Sequence, residues 1–130
     1  MKLSTSNAGF SKPTITVLCN SSTNELVFNA DDIALLEKAI TELYISKLLP
    51  NLSRKLTRKM CIKINSWREA INDFVAGIDC SINHLEVTYI LSSIQVLITT
   101  IPHAFVSERL YAHAMLKRFR NVEQSSLLQA

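Results

Sequence analysis

Ser107, His113 and any of the eleven acids could supply a nucleophile, a general base and an orienting carboxylate. Almost any chain of this composition offers that set, because a hydrolytic triad is defined by geometry and not by inventory. Glu69 and Asp73 stand four apart, the spacing that places two carboxylates on one helix face. Beside Arg68, the same spacing reads more simply as a face turned to water. Cys80 and His84 are separated by three residues, while His103 and His113 lie far along the chain. Two ligands do not close a tetrahedral metal site. The only glycines are Gly9 and Gly77, so phosphate cradles, dinucleotide turns and nucleophile elbows lack the residue their backbones require. No catalytic residue, no cofactor and no metal is assigned, and the chain is read as a non-enzyme.

The residues that do form a pattern are basic. The run "NLSRKLTRKMCIKINSWR", residues 51–68, carries six of the fourteen Lys and Arg and no acid. Residues 69–108 reverse this, with five acids and no base, so a net charge of +3 conceals strong segregation. On a helical wheel Arg54, Lys55, Arg58 and Lys59 fan across one side, with Lys63 and Arg68 at its flanks. Leu56, Met60, Ile64 and Trp67 stand opposite. Three like-charge pairs follow at i,i+4: Arg54–Arg58, Lys55–Lys59 and Lys59–Lys63. Each costs about 0.2–0.5 kcal/mol, and cations in a first helical turn add about 0.3–1 kcal/mol each against the helix dipole. A helix that pays this self-repulsion suits an anionic partner, unless Asp73, Asp79 or Glu86 folds back beside it.

Composition limits where such a helix would act. Apolar residues make up 48% of the 130, charged residues 19%, and the mean hydropathy is +0.17. One domain of this size holds a core without staples, and the apolar surplus favours an interface, either a homo-oligomer or a stable partner. Cys19, Cys61 and Cys80 are odd in number, widely spaced and without CxxC, which suits a reducing compartment. With no apolar stretch after Lys2 to act as a signal peptide, the expected location is cytoplasmic. The uncharged stretch from Val87 to Ser107 is long enough to span a bilayer. Its Thr88, Ser92, Ser93, Gln95, Thr99 and Thr100 suit a buried helix better, so an integral membrane role is not expected.

The elements that would position the basic residues are legible from periodicity. Residues 1–13 read as a flexible arm and 14–130 as a single helical domain. "TITVLCNSSTNELVF" predicts a hairpin over 14–28, with Ile15 and Val17 sharing a face of one run and Leu26 and Phe28 a face of the other. A helix over about 30–49 begins at Asn29 with Asp31 and Asp32 in its first turn, and carries the stripe Ile33, Leu36, Ile40, Leu43 and Tyr44. The basic helix runs over about 52–76 and stops at Gly77. A third, over 84–101, opens with a capping box of Asn83 and Glu86 and a staple of Ile82 to Val87. Its apolar steps Val87, Ile90, Ile94, Leu97 and Ile101 mark it as central. A fourth, over 103–122, offers Phe105, Ala112, Leu116 and Phe119 as its inward row, and the tail "EQSSLLQA" is taken as frayed. The fold class is therefore mainly α: a four-helix, bundle-like single domain with a small N-terminal β-hairpin or extended segment.

The function this implies is that of a small binding protein, a regulator, inhibitor or adaptor. It would dock an acidic protein surface through Arg54, Lys55, Arg58, Lys59, Lys63 and Arg68, helped by Lys117, Arg118 and Arg120. A nucleic-acid binder using the same face is the first alternative, although Trp67 sits on the apolar side and no base-reading motif accompanies it. A structural subunit of a larger assembly is the second.

Overall fold

Alternation decides the first element. In a strand β1 spanning Thr14–Cys19, Val17 and Cys19 are buried and Ile15 is half-buried, while the alternate residues Thr14, Thr16 and Leu18 are exposed. A second strand, β2 (Glu25–Asn29), runs antiparallel to it and pairs Ile15 with Phe28 and Val17 with Leu26, so all four side chains share the inner face. The computed structural model describes residues 13–19, 24–46, 54–73 and 80–129. Along these the chain continues as α1 (Ala30–Ser46), α2 (Arg54–Asp73), β3 (Ser81–Ile82), α3 (His84–Thr100) and α4 (Val106–Gln129). The fold is mainly helical with a small sheet at its N-terminal region, as the sequence leads one to expect.

The sheet has a third member that periodicity does not show. β3 is two residues long and lies parallel to β1, pairing Leu18 with Ser81 and Cys19 with Ile82, so the strand order is β2-β1-β3. A parallel neighbour requires a long crossover, and α1 and α2 lie in the chain between the strands. The Leu18 N–H donates to the Cys80 carbonyl at 2.8 Å.

Helix starts follow their capping residues. The Asp32 N–H donates to Asn29 Oδ1 at 2.9 Å and the Asn29 N–H donates to Asp32 Oδ2 at 3.0 Å, a reciprocal cap on α1 with Asp where Glu is usual. α3 carries the full box: the Glu86 N–H donates to Asn83 Oδ1 at 2.8 Å and the Asn83 N–H to Glu86 Oε1 at 2.9 Å. Ile82 and Val87, the expected staple pair, are both buried in the core. At the other end of α3 the Arg109 guanidinium donates to the carbonyls of Ile98 and Ile101, 3.2 and 2.9 Å away, where a helix end leaves acceptors without partners.

α3 packs on α1 and α4, and its Val87, Ile90, Ile94 and Leu97 are buried. Phe28 forms a second centre. It stacks on Trp67 of α2 at 6.0 Å between ring centroids and on Phe119 of α4 at 5.8 Å, so β2 separates these two helices.

Three expectations need correction. Phe105 is 52% exposed, not part of an inward row, because the chain after Pro102 makes a turn first. The Phe105 N–H reaches the Pro102 carbonyl at 3.0 Å and α4 begins only at Val106. Tyr44 is 63% exposed although its spacing extends the α1 stripe, because it falls at the stripe's edge in the last turn. The tail from Glu123 to Gln129 continues α4 instead of fraying. The arm at 1–12, the helical extensions at 47–49, 52–53 and 74–76, and the Gly77 stop lie outside the described residues.

Candidate functional site

α2 owes its orientation to one apolar stripe. Met60, Ile64, Trp67, Ala70 and Ile71 are buried, which turns positions 55, 58, 59 and 62 outward. Ile62, 63% exposed, stands one turn beyond Arg58 in the middle of the basic fan.

The cations on this face have different fates. Lys63 is only 13% exposed along its side chain; its ammonium donates to Glu86 Oε1 at 3.0 Å and to the Ser81 carbonyl at 2.8 Å. Lys59 reaches the same carboxylate at 3.3 Å from a more exposed position. Glu86 is itself 1% exposed. Burial alone would push its carboxyl up, but the Asn83 N–H, Lys63 and Lys59 outweigh that and hold it below the ordinary value. Arg68 pairs with Glu37 of α1, Nη1 to Oε2 at 3.0 Å, and with Asn65 of its own helix. Lys55 and Arg58 are exposed, and neither has an acidic partner among the described residues. The side chain of Arg54 lies outside the described residues, as do Asp79 and the side chain of Asp73.

The basic residues of α4 do not join this face. Arg118 is turned toward the sheet. Its guanidinium stacks over the Phe28 ring at 5.2 Å from the centroid, lies 3.6 Å from Asp32, and donates to the Val27 carbonyl on the outer edge of β2. Lys117 and Arg120 are exposed on α4, across Phe28 from α2. Sequence alone had no means to separate Arg118 from its neighbours, since its partners are 86 and 91 positions away along the chain.

Other chemically capable groups are tied up or dispersed. The Tyr111 hydroxyl donates to Asp32; burial and that carboxylate push the phenol well above its ordinary value, so it stays protonated near neutrality. Cys61 is exposed on α2, but partial burial, then the Glu37 charge, raise its thiol. Cys19 is raised by burial. Among the described residues no group of three or more His, Cys, Asp or Glu could hold a metal ion, and no helix is long and apolar enough to cross a membrane. A cleft of about 270 Å³ between α1, α3 and the start of α4 is lined by Leu35, Leu97, Ile101 and Tyr111, with Lys38 and Glu108 3.8 Å apart.

Comparison with known proteins finds no matching family model, no matching curated protein and no matching solved structure.

Proposed function

We propose that this is a small non-enzymatic binding protein, a regulator, inhibitor or adaptor, that docks an acidic surface of a partner protein on the exposed face of α2. The observation that carries the reading is a charge imbalance. Between Lys55 and Lys63 stand four cations, Lys55, Arg58, Lys59 and Lys63, and among the described residues Glu86 is the one carboxylate paired with any of them, which leaves an excess of three positive charges there. The like-charge pair Lys55–Lys59 costs the isolated helix about 0.2–0.5 kcal/mol, which an approaching anionic surface would reverse.

A protein partner is preferred to nucleic acid because the basic fan carries no aromatic side chain: the only tryptophan, Trp67, is fully buried on the opposite side of α2. The outermost residue of the fan is instead aliphatic, Ile62.

The test is affinity capture from native lysate with the wild-type chain and with a Lys55→Gln/Arg58→Gln variant, which leaves the Glu86 pairs intact. The captured protein should bind the variant on the order of tenfold more weakly, about 1.4 kcal/mol, with an unchanged circular dichroism spectrum. Equal capture by both would overturn the reading. A duplex or single strand whose log affinity falls linearly with log salt would replace it with nucleic-acid binding.

A further inference from the structure

We infer that the element seated on this face is a short amphipathic helix of the partner, acidic along its flanks and apolar along its centre, laid across α1 and α2. The inference rests on the proposed function and names the kind of acidic surface that it takes.

Exposed apolar side chains of α1 and α2 lie on the same side of the molecule as Lys55 and Arg58, the cations without an acidic partner among the described residues. α1 and α2 fold back on one another, since Arg68 late in α2 holds Glu37 in the middle of α1, and only residues 47–53 separate the helices in the chain. Tyr44 follows Glu37 by seven residues, two turns along the same column of α1. It therefore stands beside the first half of α2, where Arg58 and Ile62 are. Tyr44, Ile45 and Ile62 are each 63% exposed. A purely electrostatic dock has no use for large apolar groups beside its cations, and leaving them in water costs free energy. Together they supply the two chemistries that an amphipathic helix reads: an apolar centre and a charged border.

The dimensions favour a helix over a wider object. Lys55 to Lys63 covers about 12 Å of helix axis, a little over two turns. Past Lys63 the next exposed charges of α2 are Arg68, already paired with Glu37 of α1, and the acid Glu69. A duplex or an anionic bilayer laid along α2 would run onto Glu69, whereas a short helix over Lys55 to Lys63 would not.

The experiment is fluorescence anisotropy with the full chain and three fluorescein-labelled peptides of about four turns each. One carries glutamates with leucines at i, i+3, i+4 and i+7, one has the same composition with the leucines dispersed, and one has alanine in place of leucine. The first should bind on the order of tenfold more tightly than the others. Ile62→Ser and Tyr44→Ser should each remove most of that advantage without changing the thermal midpoint, since both side chains are exposed. If all three peptides bind alike, the inference falls while acidic docking stands; if none binds, both fall. Sedimentation with phosphatidylserine vesicles in the absence of peptide binding would also overturn it, in favour of a lipid surface.

Discussion

The ammonium of Lys63 lies 3.0 Å from Oε1 of Glu86, and that same oxygen accepts the Asn83 N–H at 2.9 Å. One carboxylate thus completes the cap of α3 and anchors α2 to it, while the other partner of Lys63, the Ser81 carbonyl, adds β3. Besides its apolar stripe, the basic helix is held to the rest of the protein by some of its own charges.

That arrangement makes stability depend on pH in a defined direction. The folded-state pKa of Glu86 lies below its ordinary 4.5. A depressed carboxyl stabilises the fold fully above the unfolded value, and this contribution is lost as pH falls through the folded value. Glu86→Gln should therefore cost about 1.5–3 kcal/mol near neutrality, the worth of hydrogen bonds to a charged group. The difference from wild type should shrink progressively below pH 4.5. Urea denaturation at a series of pH values measures this. A constant difference down to strongly acid pH would show that Glu86 acts through its shape and not its charge.

Arg118 should behave as a guard on the sheet edge. β2 is an outer strand, and exposed edge carbonyls invite pairing with other chains; Arg118 donates to the one at Val27. Arg118→Met should lose that bond, the Asp32 pair and the contact over Phe28, at a cost of about 1–3 kcal/mol. Arg118→Lys should recover only part, since an ammonium cannot reproduce the planar fork. Melting curves rank the three proteins, and light scattering at rising concentration should show the Met variant associating first.

How much of this was legible in the sequence depended on how local the cause was. The cap at Asn83–Glu86 spans three residues, and the steps through Val87, Ile90, Ile94 and Leu97 repeat within one helix, so both could be read from spacing. The hairpin could be read because Ile15 and Val17 alternate toward the same side as Leu26 and Phe28. β3 could not, since two residues carry no period and their partners lie more than sixty positions earlier. The same limit applies to the basic face. Spacing shows that Lys55, Lys59 and Lys63 share a side, but not that Glu86 takes two of them. Ile62 was visible on the helical wheel, opposite Met60 and Ile64, as an apolar residue on the charged side. Tyr44 was not, because whether the edge of a stripe is covered depends on where the neighbouring helix ends.

Phe28 joins the sheet to two helices. It is fully buried, stacks on both Trp67 and Phe119, and carries the Arg118 guanidinium on its ring. Phe28→Ala should cost about 3–5 kcal/mol through lost burial and the cavity left behind, a large share of the roughly 5–15 kcal/mol that holds a domain together. Phe28→Leu keeps most of the volume but loses the stacking, worth about 0.5–1.5 kcal/mol per aromatic pair. If the stacking is an interaction and not merely filled space, the losses from Phe28→Leu and Phe119→Leu should fail to add, because each removes the same pair. Trp67, the single tryptophan of the chain, is fully buried against Phe28 and reports unfolding through its emission. Additive losses in urea melts followed by Trp67 fluorescence would reduce Phe28 to a space-filler, and sub-additive ones would establish it as the joint between the sheet, α2 and α4.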